Sequence, residues 1–111
     1  MSKRDPLVLL EDIMLAIQKI GRYTSQMDRD AFMTDDLVID GVARNLEIIG
    51  EAARQLPQQY RRAHTEIPWT QIAGLRNRIV HDYFGLDLEI IWQIIRHDLA
   101  DLEKKITDLL S

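Results

Sequence analysis

The chain has 111 residues, no cysteine, and 14 Lys/Arg against 18 Asp/Glu for a formal net charge of −4. One domain spanning residues 1–111 is expected, long enough to bury about two thirds of the surface its unfolded chain exposes. The missing cysteines exclude a disulfide framework, a thiolate nucleophile and sulfur-ligated zinc, and the acidic balance argues against a protein that coats nucleic acid indiscriminately.

From the N-terminus, the stretch before Leu7 lacks the apolar run and cleavage site of a signal peptide. No segment is long and apolar enough for a membrane span, and a cytoplasmic location is expected. Asp5 as N-cap and Pro6 at the first helical position open a helix predicted to reach about Tyr23. Its core stripe is Leu10, Ile13, Ile17 and Ile20. Thr34, Asp35 and Asp36 offer the next start, after which Val42, Leu46, Ile49, Ala53 and Leu56 recur at helical spacing until Pro57 stops them. Residues 57–68 are polar and turn-rich, with a short helical turn at Gln58 to Arg62.

Trp69 opens a third helix, closed by the stretch Arg76 to Tyr83. Gly85 breaks the pattern, and Asp87 caps a last helix whose stripe is Leu88, Ile91, Ile95, Leu99, Leu102, Ile106 and Leu109. With no strand alternation and no internal repeat, the predicted fold is all-α, an up-and-down bundle of four to five helices. In the third helix Ile72, Leu75 and Ile79 make one seam, widened by Trp69, Ala73 and Val80. Two readings of that wide arc stay open: packing between two helices of its own bundle, or a flank against a second copy in a homodimer.

Charge is unevenly divided. Residues 1–53 hold 6 Lys/Arg against 10 Asp/Glu, residues 54–81 hold 5 Arg against Glu66 alone, and residues 82–111 hold 3 against 7. The basic segment is either a local anion site on an acidic body or a set of arginines paired to neighbouring helices. It ends in Arg76-Asn77-Arg78-Ile79-Val80-His81-Asp82-Tyr83, which gathers a permanent cation, an amide, an imidazole and a phenol. Those groups suit phosphate chemistry. A guanidinium grips phosphate oxygens with two parallel bonds, and an imidazole titrating near pH 6.5 moves protons at neutral pH without a metal. On a helical wheel Asn77 and His81 share a face, with Arg76 beside them. The plainer alternative is a structural helix end, with His81 favoured by the dipole and Arg76 paired to a carboxylate.

Other candidates read as scaffold. Arg78 is expected to meet solvent or a carboxylate rather than a phosphate backbone, Arg44 and Glu51 to form a salt-linked face in preference to lining a cleft, and Trp69 and Trp92 to anchor core or interface. His64 and His97 have no metal-ligand spacing to His81, so no metal site and no cofactor is expected.

Arg76-Asn77-x-x-x-His81-x-Tyr83 resembles the Arg-polar-x(3)-His core of the HEPN superfamily, in the fuller Arg-x(4)-His-x-Tyr form of HepT-like toxins. The resemblance extends to Asn45-Leu46-Glu47-Ile48-Ile49-Gly50-Glu51-Ala52 and to Ile67-Pro68-Trp69. It implies an all-helical bundle, a homodimer whose two motifs meet in a cleft, and metal-independent ribonuclease activity as the toxin of a toxin–antitoxin pair. The implied antitoxin is a small MntA-like nucleotidyltransferase that silences the toxin by adenylylating the motif tyrosine, here Tyr83. On that basis Arg76 and His81 are the expected catalytic residues, Asn77 and Tyr83 position the RNA substrate, and no metal takes part. Two rivals from other classes are a non-catalytic module binding nucleotides or a nucleotidyltransferase, and a phosphorelay bundle with His81 as phosphoacceptor.

Overall fold

The computed structural model describes residues 5–80 and 85–111. In chain order its helices are α1 (Pro6–Thr24), α2 (Arg29–Met33), α3 (Asp36–Gln55), α4 (Gln58–Ala63), α5 (Trp69–Ala73), α6 (Leu75–Ile79), α7 (Leu88–Gln93), a π-helical turn (Ile94–Asp98) and α8 (Leu99–Leu110). Four of the starts are fixed by an aspartate whose carboxylate accepts an N–H that the first turn leaves over. Asp5 takes Leu7 N–H at 2.7 Å, Asp28 takes Ala31 at 2.8 Å, Asp35 takes Val38 at 3.0 Å and Asp87 takes Ile90 at 3.1 Å. Each such cap is worth about 1 kcal/mol over alanine.

The expected all-α bundle is what forms. Three long columns make its body: α1, α3, and the continuous run from α7 through the π turn to α8. α1 buries Leu9, Leu10, Ile13, Ala16, Ile17 and Ile20, and α3 buries Ile39, Val42, Leu46, Ile49 and Ala53 against it. α8 closes over α1 with Leu99, Leu102 and Ile106. Each of the leucine, isoleucine and valine side chains among these contributes about 1.5–3 kcal/mol on leaving water. The predicted turn after Pro57 is present as α4.

Three local features depart from the sequence reading. First, α2 is a helix where none was expected. Its Phe32 is fully buried and stacks on Trp92 with ring centroids 5.4 Å apart, which ties α2 to α7. Second, the last column buries Ile94 rather than Ile95, which is only half-buried. The π turn inserts an extra residue between Ile94 and Leu99, so apolar positions five apart, not four, share a face. Third, the predicted third helix is two short helices that join at Gly74 and end at Ile79, with Val80 in extended conformation (φ −90°, ψ 126°). Helical spacing therefore stops at Ile79, and His81, expected to share a wheel face with Asn77, lies outside the described residues.

The break at Gly74 has a counterpart on α3. A Cβ at Gly50 would lie 3.2 Å from the Ile72 carbonyl oxygen, 3.5 Å from that of Ala73 and 3.8 Å from the Leu75 Cβ. The missing side chain lets the α5–α6 joint press onto α3. Trp69, Ile72, Leu75 and Ile79 are buried there, with α7 along the other side of α6, so the seam is covered within the chain. Val80 stays 40 % exposed. Gly50→Ala is expected to be nearly neutral, because about 1 kcal/mol of helix propensity offsets the tight contact. Gly50→Val forces two more methyl groups against backbone carbonyls and is expected to lower stability by about 1–3 kcal/mol in urea unfolding.

Beyond Val80 the chain is refastened by main-chain bonds. Val80 and Leu86 form an isolated antiparallel bridge, and Asp87 N–H donates to the Ile79 carbonyl at 2.7 Å. Gly85 has φ +90°, a conformation that favours glycine. Among the described residues there is no other β pairing.

Candidate active site

The apolar stripe of α3 leaves an opposite face on which Arg44, Glu47, Glu51 and Arg54 recur at helical spacing, all exposed. Because Gly50 brings the α5–α6 joint close, Ala73, Arg76 and Asn77 stand across from that charged stripe. Asp12 and Leu9 of α1 complete a cleft of about 470 Å³. Its walls are thus four helices, α1, α3, α5 and α6, held by the core beneath.

The charges in the cleft are not equally committed. Glu51 accepts from Arg54 at 2.7 Å and from the Gln55 amide at 3.2 Å. These two donors, Gln55 first and Arg54 second, hold the Glu51 carboxyl below the usual carboxylate range. An exposed pair of this kind adds little stability, but it occupies a carboxylate that would otherwise repel an anion. Arg44 and Arg76 have no carboxylate within ion-pair distance among the described residues. Two guanidinium groups are therefore available to a ligand in the cleft.

Of the predicted site residues, the structure brings Arg76 and Asn77 together on this cleft, both exposed. His81 and Tyr83 lie outside the described residues. Arg78 points elsewhere and pairs with Asp98 at 3.6 Å, the carboxylate partner expected for it. Asn45, in the stretch of HepT resemblance, is structural: it is buried and its amide donates to the Gly41 carbonyl at 2.8 Å. Trp69 and Trp92 are core anchors, as expected. The Trp69 indole donates to the His64 carbonyl at 2.9 Å, and Arg96 lies 5.5 Å from the Trp92 ring centre. His64 packs beside the Tyr60 ring, with Nδ1 3.9 Å from Glu66.

A family model described as "Ribonuclease HepT-like" matches residues 13–109. The chain belongs to the HepT-like ribonuclease family. Among its relatives is a protein of Thermococcus cleftensis named "Probable ribonuclease HepT", 37 % identical over 107 residues that cover 96 % of this chain and 97 % of that protein. Among solved structures, the tri-AMPylated HEPN toxin of Shewanella oneidensis in complex with its MNT antitoxin is similar to this chain. The TM-score is 0.65 and the identity 28 %, over 94 % of this chain and 96 % of that one. The HepT-like fold and the motif resemblance thus agree over nearly the whole length. No described helix is long and apolar enough to cross a membrane.

The sequence pattern favoured a salt-linked face for Arg44 and Glu51 over a place lining the cleft, and Glu47 and Arg54 carried no expectation there. Glu51 is indeed salt-linked, but to Arg54. The available signal was the full charged stripe on α3, opposite its buried face, set against a motif carrying a further arginine.

Proposed function

We propose that this HepT-like protein is a metal-independent endoribonuclease and the toxin of a HepT/MntA-type toxin–antitoxin pair. The observation that carries the reading is Arg76 and Asn77 opening on one cleft with Arg44, with no carboxylate partner for either arginine among the described residues. That arrangement suits a phosphodiester. RNA supplies its own nucleophile: the 2′-oxygen attacks phosphorus, its proton passes to an imidazole, and the phosphorus–O5′ bond breaks as the 5′-oxygen is protonated. His81 is the acid–base residue in this scheme, and a second copy in a homodimer supplies the opposite proton transfer. Arg76 holds the phosphate oxygens as negative charge builds on them. Asn77 orients the linkage by hydrogen bonding, and Tyr83 positions RNA.

Tyr83 is also the proposed switch. A nucleotidyltransferase partner transfers AMP from ATP to its phenol oxygen, releasing pyrophosphate. The adduct adds bulk and negative charge where the substrate phosphate belongs. The similarity to an AMPylated toxin bound to its antitoxin supports this part of the reading, and an RNA-directed toxin of this kind acts in the cytoplasm.

The test incubates purified protein with RNA and with matched DNA in the presence of chelator. RNA alone is expected to be cut, leaving 2′,3′-cyclic phosphate and 5′-hydroxyl ends. Ends bearing 5′-phosphate would mean attack by water and would refute the scheme. Co-expression with the partner is expected to add one AMP mass to the peptide carrying Tyr83. An adduct found only on another residue would reject that tyrosine.

A further inference from the structure

The basic segment of residues 54–81 is resolved by the structure into two kinds of arginine. Arg54 and Arg78 are paired, to Glu51 and to Asp98. Arg61, Arg62 and Arg76 have no such partner among the described residues. Arg76 faces the cleft described above, whereas Arg61 and Arg62 rim a separate cavity of about 470 Å³ between α4 and the start of α5.

We propose that this second cavity is a binding subsite for the phosphate backbone of the RNA substrate, outside the cleft where the chain is cut. Its rim offers two guanidinium groups, the Thr65 and Thr70 hydroxyls and the Gln71 amide, and no carboxylate lines it. Such a set donates hydrogen bonds to phosphate oxygens without reading base sequence. Arg61 is set into the wall: its Nε is shut off from water and has no acceptor among the described residues. Its stem is therefore held down, and its terminal nitrogens, which make no hydrogen bond to the described chain, remain to face a ligand. A cation fixed beside buried Trp69 and Ile67 acts in a lower dielectric than one on a free side chain.

Continuity with the cleft favours RNA over other anions. Trp69 lines this cavity and Ala73 lines the cleft, four residues apart on one face of α5. The helix is only about 7.5 Å long at 1.5 Å per residue. A single strand held in the cleft thus reaches the second cavity within the 4–16 nucleotides, roughly, that single-strand grooves cover.

The inference rests on the ribonuclease reading, but its test reads binding rather than cutting. The probe is fluorescein-labelled 2′-O-methyl RNA of about 12 nucleotides, which lacks the attacking hydroxyl and stays intact. Its affinity is measured by anisotropy over a range of salt concentrations for the wild type, Arg62→Gln and Arg61→Gln/Arg62→Gln. The double variant is expected to bind on the order of tenfold more weakly, with the log–log salt slope reduced by about 1.4, two contacts at about 0.7 each. Arg62→Gln alone, at an exposed side chain, is expected to reduce the slope by about 0.7, and it decides the matter if the double variant loses its helical circular dichroism. Wild-type affinity and slope in Arg62→Gln would overturn the proposal. So would intact RNA binding with lost association of the nucleotidyltransferase, which would make the cavity a protein contact. Failure of the ribonuclease reading registers separately, as wild-type protein that leaves ordinary RNA uncut.

Discussion

Replacing His81 by alanine is expected to lower the rate of RNA cleavage by about 10²- to 10⁴-fold, the range a positioned imidazole contributes as acid or base. The effect belongs in kcat, because Arg76 and Arg44 remain to bind the phosphate and need no imidazole to do so. Some cleavage should persist above background, since Arg76 still stabilises the charge that develops on phosphorus. The fold is expected to be retained, so that the loss reads the chemistry. Single-turnover cleavage, with circular dichroism to confirm the helical content, separates the two quantities. A loss of less than about threefold would remove His81 from the mechanism.

The second large effect is on the fold. Phe32→Ala is expected to lower stability by about 3–5 kcal/mol, the range for emptying a fully buried aromatic site. Two contributions act together. The cavity forfeits the stacking on Trp92 across 5.4 Å, and α2 loses its only buried side chain. A helix of five residues does not persist in water by itself, so its aspartate cap alone will not hold it. Against a typical total stability of about 5–15 kcal/mol, such a loss takes up a large part of the margin. Urea unfolding of the variant measures it. A loss below about 1 kcal/mol would show that the space refills and that α2 docks by other means.

How much of this was legible in the sequence depends on the range of the interaction. The starts of α1, α3 and α7 could be read because an aspartate and the N–H it caps are two or three residues apart. α2 could not be read, since its single buried residue makes no period and its stacking partner lies sixty positions away. The slip in the last column was hidden because Ile94 and Ile95 are both apolar, and a stripe drawn at regular spacing takes the wrong one. The break of the third helix at Gly74 goes with Gly50 meeting the Ile72 and Ala73 carbonyls across the bundle, which no local pattern records.

The site divides the same way. Arg76 and Asn77 were identified by residue type and spacing, and both open on the cleft. Which arginines are free to meet a ligand was not legible. Glu51 turns to Arg54 within α3, whereas Asp98 reaches Arg78 only through the packing of the helices, and this partition separates an anion site from a set of salt links.

The joint at Val80, Leu86 and Asp87 fastens the chain on both sides of the motif's histidine and tyrosine. It is built from peptide groups, so the fastening itself draws on no side chain. Replacing His81 or Tyr83 is thereby expected to leave these bonds, and the seats of α6 and α7, in place.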